Sequence, residues 1–274
     1  MRRRELLMGL GSALAAPSIG RAGASRVLRF MSSAGVVQLD PLATTIYPTL
    51  ILGLQIFESL YSVDANLIAR PQMAAGQVIE DDGKRWIVTL REGLRFHDGE
   101  PVLARDCVAS IDRWLKRDLT GSALAQRLDA IEARDDRTVV FRLNRPFRQL
   151  PFVLGKASPN LMAVMPSRLA ATDASQSVTE LIGSGPFRFA ASEFSVNSLA
   201  VLERFDGYVP RNEPPSGTAG GRVAKVDRVE WHVIPELSTQ ICPCMASTNC
   251  RQRYKPSPVP RIVPERSRLR RTNC

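Results

Sequence analysis

The sequence predicts an α/β protein, because it combines segments with the repeat of a β-strand and a segment with the repeat of a helix. Residues 86–91 and 138–143 send successive side chains to opposite faces, and one face of each is apolar, which is typical of strands beside a core. Residues 104–115 carry apolar side chains three and four positions apart, which indicates a helix with one buried face.

The first predicted elements are a short strand and a helix. Residues 27–30 form the strand, which ends in small, polar residues. A helix is predicted over residues 48–61, because a proline opens the segment and Leu50, Leu54 and Phe57 share one face at helical spacing.

The central unit of the chain is a strand, a tight turn and a helix. Asp81-Asp82-Gly83 predicts a hairpin turn that leads into the strand at 86–90. Asp98-Gly99 predicts a second tight turn, because glycine accepts the positive φ that such turns need. The helix that follows, at 104–115, buries a stripe that includes Val108 and Ile111.

The later predicted elements are strands. Residues 131–133 and 138–143 form a second hairpin, and residues 199–205 form a further strand. Residues 207–222, which are rich in proline and glycine, form a loop. Residues 223–234 hold the last predicted strand.

The central unit resembles the family 5 solute-binding proteins, which serve ABC importers of peptides, nickel and related solutes. The signature of that family has the pattern W-x-x-x-L-R-x-G-x-x-F-H-D-G-x-P-x-x-A-x-D, and every fixed position is filled between Trp86 and Asp106. Leu39-Asp40-Pro41, the D-D-x-T-V run from Asp135 and Gly183-Ser184-Gly185-Pro186 also resemble family segments. The signature marks scaffold and identifies a family better than it identifies a ligand site.

The resemblance implies the periplasmic binding-protein fold of class II, or cluster C, in which solute lies between two lobes that close by a hinge motion. It implies that residues 25–60 and 180–240 belong to the first lobe and that residues 61–179 form a subdomain inserted in it. The resemblance ends at about Gln240, so we expect the second lobe to be missing.

Ligand-binding residues are expected on the segment that follows the first strand. In the resembled family the segment after L-D-P contributes to the ligand cleft, and the resemblance implies Thr45 and Tyr47 as cleft-lining residues. Ser32 and Ser33, at the end of the first strand, complete the expected set. The alternative is that Tyr47 packs in the core and that Thr45 merely precedes the helix.

The net charge of +10 resides in the two ends of the chain. Residues 1–24 carry +3 and residues 241–274 carry +7, which leaves residues 25–240 neutral. A basic body that binds nucleic acid is therefore not indicated, and we expect no nucleic-acid partner.

Residues 1–24 are typical of an export signal, with Arg2-Arg3-Arg4, a short apolar run and Ala22-Gly23-Ala24 as a cleavage site. The paired arginines resemble a twin-arginine signal, and an ordinary Sec signal is the alternative. Either one predicts a periplasmic protein.

Residues 241–274 break the pattern of the body, with four cysteines, five prolines and eight Lys or Arg residues. We expect this tail to be disordered, because it cannot bury enough apolar surface to offset the entropy of ordering. Our hypothesis is that it is an out-of-frame extension of a disrupted gene. The alternatives are a zinc site on its cysteines and a module that binds nucleic acid or anionic surfaces.

The expected function is capture of a periplasmic solute, most simply a short peptide, by a monomer that delivers it to an inner-membrane ABC permease. Nickel, haem or another solute of the same family is the alternative. We expect no enzyme, no cofactor and no metal site in the body, because the sequence contains no Walker loop, dinucleotide fingerprint or H-E-x-x-H motif. In the resembled family the charge partners of the peptide termini lie largely in the later half, so we expect negligible binding by these 274 residues alone.

Overall fold

A computed structural model of the chain describes residues 25–235, which form two four-stranded sheets, a two-stranded sheet and five α-helices. The predicted export signal (1–24) and the predicted tail (241–274) lie outside the described residues. In chain order the elements are β1 (Val27–Ser32), α1 (Tyr47–Ile56), β2 (Tyr61–Val63), β3 (Ala69–Pro71), β4 (Ala74–Glu80), β5 (Arg85–Leu90), α2 (Ala104–Leu115), α3 (Leu119–Ala125), β6 (Leu128–Asp135), β7 (Thr138–Leu143), α4 (Leu150–Gly155), α5 (Ser167–Ala170), β8 (Phe187–Phe189), β9 (Leu199–Arg204) and β10 (Arg228–Val233).

The first sheet has the strand order β1-β10-β9-β8, and its only parallel pair joins the two chain-distant strands β1 and β10. Its inner face buries Ala200, Leu202, Val229 and Trp231 against α1 and the segment 161–178. The predicted strands at 27–30 and 199–205 are confirmed as β1 and β9. The strand predicted at 223–234 begins too early, because β10 starts only at Arg228.

The second sheet is antiparallel, with the order β4-β5-β7-β6. Trp86 and Val88 on β5 and Phe141 on β7 face a core that α2, α3 and α4 cover. Helix α2 has the predicted bounds, and Ile111 at its centre is fully buried. Alternation along these strands therefore predicted the correct core face.

Tight turns close the hairpins where the sequence placed them. Asp81, Asp82 and Gly83 all have positive φ and join β4 to β5. Gly99 has φ 91°, and its N–H donates to the carbonyl of Phe96 at 2.9 Å. The predicted requirement for glycine at this turn is confirmed.

The predicted helix over 48–61 is too long at its C-terminal end. Helix α1 ends at Ile56, Phe57 is extended, and Tyr61 begins strand β2. The reason is non-local pairing, because the carbonyl of Leu60 accepts hydrogen bonds from the backbone N–H groups of Gln72 and Ala74. Strand pairing outcompetes the helical repeat, although Phe57 and Tyr61 are still buried as the repeat indicated.

Helix α1 ends against the segment Gly183-Ser184-Gly185. The N–H of Gly185 donates to the carbonyl of Ile56 at 2.8 Å and so satisfies an acceptor at the helix C-terminus. A Cβ on Gly183 would lie 2.1 Å from that same carbonyl oxygen. Only glycine allows the two backbones to approach this closely.

Substitution of Gly183 by alanine is therefore expected to lower the free energy of unfolding by about 1–3 kcal/mol, because a backbone atom must move to admit the methyl group. Gly76→Ala is the matched control, since a Cβ at Gly76 meets no atom within 4 Å. Urea unfolding followed by tryptophan fluorescence measures both. Equal stabilities of the two variants would contradict the close-approach argument.

No helix between residues 25 and 235 has the length and apolarity that crossing a membrane requires.

Candidate functional site

The candidate site lies at the edge of the first sheet where β1 and β10 end. Because the two strands are parallel, Ser32 at the end of β1 stands beside Val233 at the end of β10. The chain leaves β1 here and runs through an irregular connection, residues 33–46, into α1. The four predicted ligand-binding residues lie at the two ends of this connection.

Ser32 and Ser33 occupy the start of the connection. The hydroxyl of Ser32 donates to the carbonyl of Ala34 at 2.8 Å and accepts from its N–H at 3.2 Å, so it stabilises the local turn. Ser33 is exposed. Of the two, Ser33 has its side chain more available to a solute.

Thr45 and Tyr47 occupy the end of the connection, on either side of the N-terminus of α1. Thr45 is exposed, and 68% of Tyr47 is exposed. The alternative in which Tyr47 packs in the core is therefore wrong. Whether these residues contact a solute stays a prediction.

A buried ion pair anchors the middle of the connection. Asp40 is fully buried, and its carboxylate accepts from the Arg113 guanidinium of α2 at 2.8 Å. The same carboxylate accepts from the N–H groups of Leu42 at 2.9 Å and Val178 at 3.0 Å. Asp40 of the L-D-P step thus has a structural role as the acceptor of hydrogen bonds from backbone N–H groups and a guanidinium. The sequence did not predict Arg113 as its partner.

Further hydrogen bonds hold both flanks of the connection. The carbonyl of Gln38 accepts from the Thr49 hydroxyl on α1 at 2.5 Å, and the Asn160 side chain donates to the carbonyl of Leu42 at 2.7 Å. The Asn197 N–H donates to the carbonyl of Val36 at 3.1 Å. The connection is irregular in backbone but is tied to three other parts of the chain.

A second buried carboxylate, Glu58, follows α1 at its other end. Its side chain is fully buried and accepts from Gln72 and from Tyr208, each at 3.0 Å. Arg222 lies 3.1 Å and Arg91 3.5 Å from its oxygens. Burial, followed by the nearby negative charge of Glu58, raises the pKa of Tyr208 to about 12.

His97 of the signature joins the second sheet unit to the segment beside α1. Its Nε2 lies 3.1 Å from the carbonyl of Gly185, and its Nδ1 accepts from the N–H of Gly183 at 3.4 Å. These contacts assign the neutral tautomer with the proton on Nε2. Burial lowers the pKa of His97 to about 4. The signature histidine is a structural clamp.

The outer face of the first sheet carries charged pairs. Glu230 on β10 contacts Arg29 at 2.9 Å, Arg228 at 3.1 Å and His232 at 3.3 Å. Burial alone would raise the pKa of Glu230, but hydrogen bonds from His232, Arg228 and Arg29 outweigh it and lower that pKa. His232 lies on this outer face, and 35% of its side chain is exposed.

Two open cavities of some size lie away from the predicted ligand residues. One of about 490 Å³ lies between the β2–β3 hairpin and residues 211–220, and one of about 400 Å³ lies between the C-terminal end of α1 and residues 221–225. None of the four predicted residues lines either cavity. Ser33, Thr45 and Tyr47 are instead exposed on the surface of the chain.

Metal-binding side chains are not brought together in the part of the chain that the structure describes. Within residues 25–235, His, Cys, Asp and Glu side chains form no group of three that could hold a metal ion. Burial raises the pKa of the Cys107 thiol, which therefore stays protonated. The four tail cysteines of the zinc alternative lie outside the described residues.

The profile of the family described as "Bacterial extracellular solute-binding proteins, family 5 Middle" matches residues 69–242 of the chain. The "Probable peptide ABC transporter periplasmic-binding protein y4tO" of Sinorhizobium fredii is 38% identical over 238 residues. That match covers 84% of this chain and 44% of the relative, so the chain spans less than half of that relative's length.

Solved periplasmic binding proteins share the fold. NikA from Brucella suis, solved with Fe(III)-EDTA, has a TM-score of 0.67 and 21% identity, over 81% of this chain and 42% of that one. DppA from Helicobacter pylori, solved with the peptide STSA, has a TM-score of 0.65 and 21% identity, over 80% of this chain and 45% of that one. The predicted binding-protein fold is confirmed, and the neighbours extend well beyond the matched part.

Proposed function

Because the chain belongs to the bacterial extracellular solute-binding proteins of family 5, we propose that it supplies one wall of a periplasmic binding site for short peptides that serves an ABC importer. The observation that carries this proposal is the 38% identity to a peptide-type periplasmic binding protein over 84% of the chain. The proposed partners are a short peptide and an inner-membrane permease, and the proposed state is a monomer.

In this proposal the first sheet with α1, residues 25–60 and 180–240, is the first lobe, and residues 61–179 are the inserted subdomain. The packing of residues 161–178 against the first sheet supports a broad contact between the two units. In this proposal the solute-facing groups lie on the connection, with Ser33 at its start and Thr45 and Tyr47 at its end. The groups there can donate and accept hydrogen bonds and offer an aromatic face, which suits a peptide backbone.

The mechanism we propose is differential affinity rather than catalysis. A solute held between two walls stabilises the closed arrangement, and a transporter that recognises closure receives loaded protein. Small-molecule sites bury roughly 70–90% of the ligand surface. Since Tyr47 is 68% exposed, its side chain can be covered further by a solute and by an opposing wall, and we propose that the described wall binds solute only together with such a wall.

The test compares this chain with a chimera in which residues 25–234 are followed by the part of the Sinorhizobium fredii relative beyond its matched region. A mixture of di- to pentapeptides is expected to raise the melting temperature of the chimera and to leave that of the 274-residue chain unchanged. Calorimetry then gives the affinities, which we expect to be weaker than micromolar for the chain alone.

Tyr47→Ala in the chimera is expected to weaken peptide binding about ten-fold, because an exposed aromatic face is lost. Leu119→Ala is the matched control, since Leu119 is 86% exposed on α3 and lies on a different part of the chain. A chimera that responds to nickel or haem and to no peptide would overturn the peptide assignment. Micromolar peptide binding by the chain alone would overturn the two-wall argument.

A further inference from the structure

The connection 33–46 presents a question of stability, because it carries the predicted solute-facing residues and has no helix or strand of its own. Fixing the backbone of each residue costs conformational entropy. An irregular segment of this length stays in one conformation only if contacts from elsewhere hold it. The contacts that hold its centre come from α2 and from residues 160–178.

Arg113 provides the most buried of these contacts. Arg113 is a charged residue on α2, yet only 3% of its side chain is exposed. Its guanidinium donates from Nη2 to Asp40 at 2.8 Å and to the carbonyl of Gln176 at 2.7 Å, and from Nε to the carbonyl of Thr172 at 3.0 Å. The planar guanidinium matches this fan of acceptors, which a lysine ammonium reproduces only in part.

Asp40 passes this constraint to the connection. With the guanidinium in place, its carboxylate also accepts from the N–H groups of Leu42, inside the connection, and Val178, outside it. Among residues 25–235, Arg113 is the cation that pairs with Asp40, so without it the carboxylate is a buried charge that lacks a partner of opposite sign. Burial of an unpaired charge is costly. The carboxylate then turns toward water and both N–H bonds are lost.

We propose that Arg113 is a positioning residue for the connection that carries the predicted solute-facing residues: acting through Asp40, it fixes the backbone of residues 40–42 from inside the inserted unit. This inference rests on the proposed function for its purpose. Its geometry concerns only residues that touch no solute. The connection in the first lobe thus takes part of its support from a helix that packs on the second sheet.

Hydrogen–deuterium exchange of the full 274-residue chain tests the inference. In Arg113→Met we expect exchange at the amides of Leu42 and Val178 to rise at least ten-fold, with exchange in β5 and β7 unchanged. Arg113→Lys is expected to recover part of the protection, because its ammonium still reaches Asp40 but cannot serve Thr172 and Gln176 in the same plane.

Ile111→Ala is the control, because it opens a cavity on the same helix without touching Asp40. It is expected to speed exchange across the second sheet and to leave the ratio of Leu42 to β5 exchange unchanged. If Arg113→Met gives the Ile111→Ala pattern, or no change at Leu42, the positioning role is overturned. Should Arg113→Met fail to fold, Arg113→Gln gives the same readout, since it also removes the cation that faces Asp40 and leaves both carboxylate oxygens in place.

The exchange readout needs no solute. If Arg113→Met speeds exchange at Leu42 and Val178 alone and the chimera binds no peptide, the positioning role stands and the proposed function is wrong. If Arg113→Met changes neither peptide binding by the chimera nor exchange at Leu42 and Val178, the positioning role is wrong and the proposed function stands.

Discussion

Replacing Glu58 by glutamine is expected to lower the free energy of unfolding by about 3–5 kcal/mol, the usual cost of breaking a buried ion pair by removing one partner. The side chain of Glu58 is fully buried, and those of Arg91 and Arg222 are only 12% and 15% exposed. Glutamine keeps the shape and one carbonyl acceptor. It leaves the guanidinium groups of Arg91 and Arg222 without the carboxylate that they share, in a poorly solvated space.

The measurement is urea unfolding at neutral pH, with Glu92→Gln as the control. Glu92 also contacts an arginine, Arg137, at 2.8 Å, but 84% of its side chain is exposed. Exposed pairs of this kind contribute about 0–1 kcal/mol, so the control is expected to remain close to the parent protein. Similar stabilities of Glu58→Gln and Glu92→Gln would contradict the argument that the buried ion pairs of Glu58 stabilise the fold.

The double variant Glu58→Gln with Arg222→Met separates charge from packing. If the cost of Glu58→Gln comes from uncompensated positive charge, removal of one guanidinium recovers part of it, and the two single effects sum to more than the double. Additive effects would show that Glu58 acts through hydrogen bonds to Gln72 and Tyr208 alone.

The ion pairs of Glu58 with Arg91 and Arg222 show why secondary structure could be predicted from the sequence more easily than tertiary contacts. Alternation and helical spacing depend on neighbours, so they placed β5, β7 and α2 correctly. The end of α1 depends on Leu60 pairing with residues beyond the next turn, and the local repeat gave the wrong boundary. Strand β4 was missed because its pattern is weak, with Val78 and Ile79 consecutive and both exposed.

The candidate site was predictable only as a segment. The resemblance placed Thr45 and Tyr47 on the connection before α1, and exposure of Tyr47 fits a surface role without testing ligand contact. What fixes that segment was not predictable, because Asp40 and Arg113 are 73 positions apart and a buried arginine looks like any solvated one in sequence. Two residues so far apart in the sequence come into contact only in the folded protein, so their pairing could not be read from the sequence.

His97 leads to a prediction about acid stability. Burial is the main cause that lowers its pKa in the folded protein to about 4 from an ordinary 6.5, with further lowering by Arg188 and opposing effects of the Gly185 hydrogen bond, Asp98 and Glu58. Between pH 4 and pH 6.5 the His97 ring is protonated in the unfolded chain and neutral in the folded protein. The free energy of unfolding therefore falls as the pH drops through this window, whereas above it both states hold a neutral ring.

The separation of the two pKa values corresponds to a loss of about 3 kcal/mol, complete near pH 4. Two-dimensional NMR of the imidazole protons should give a midpoint near pH 4 for His97, and His232→Asn assigns the signal because the chain has two histidines. A His97→Asn variant is expected to be less stable than the parent at pH 7 and to lose less stability between pH 7 and pH 4. A His97 midpoint near its ordinary value would mean that the ring is hydrated and that the clamp on Gly183 and Gly185 is open. Equal acid-induced losses in parent and variant would assign the acid sensitivity to the carboxylates instead.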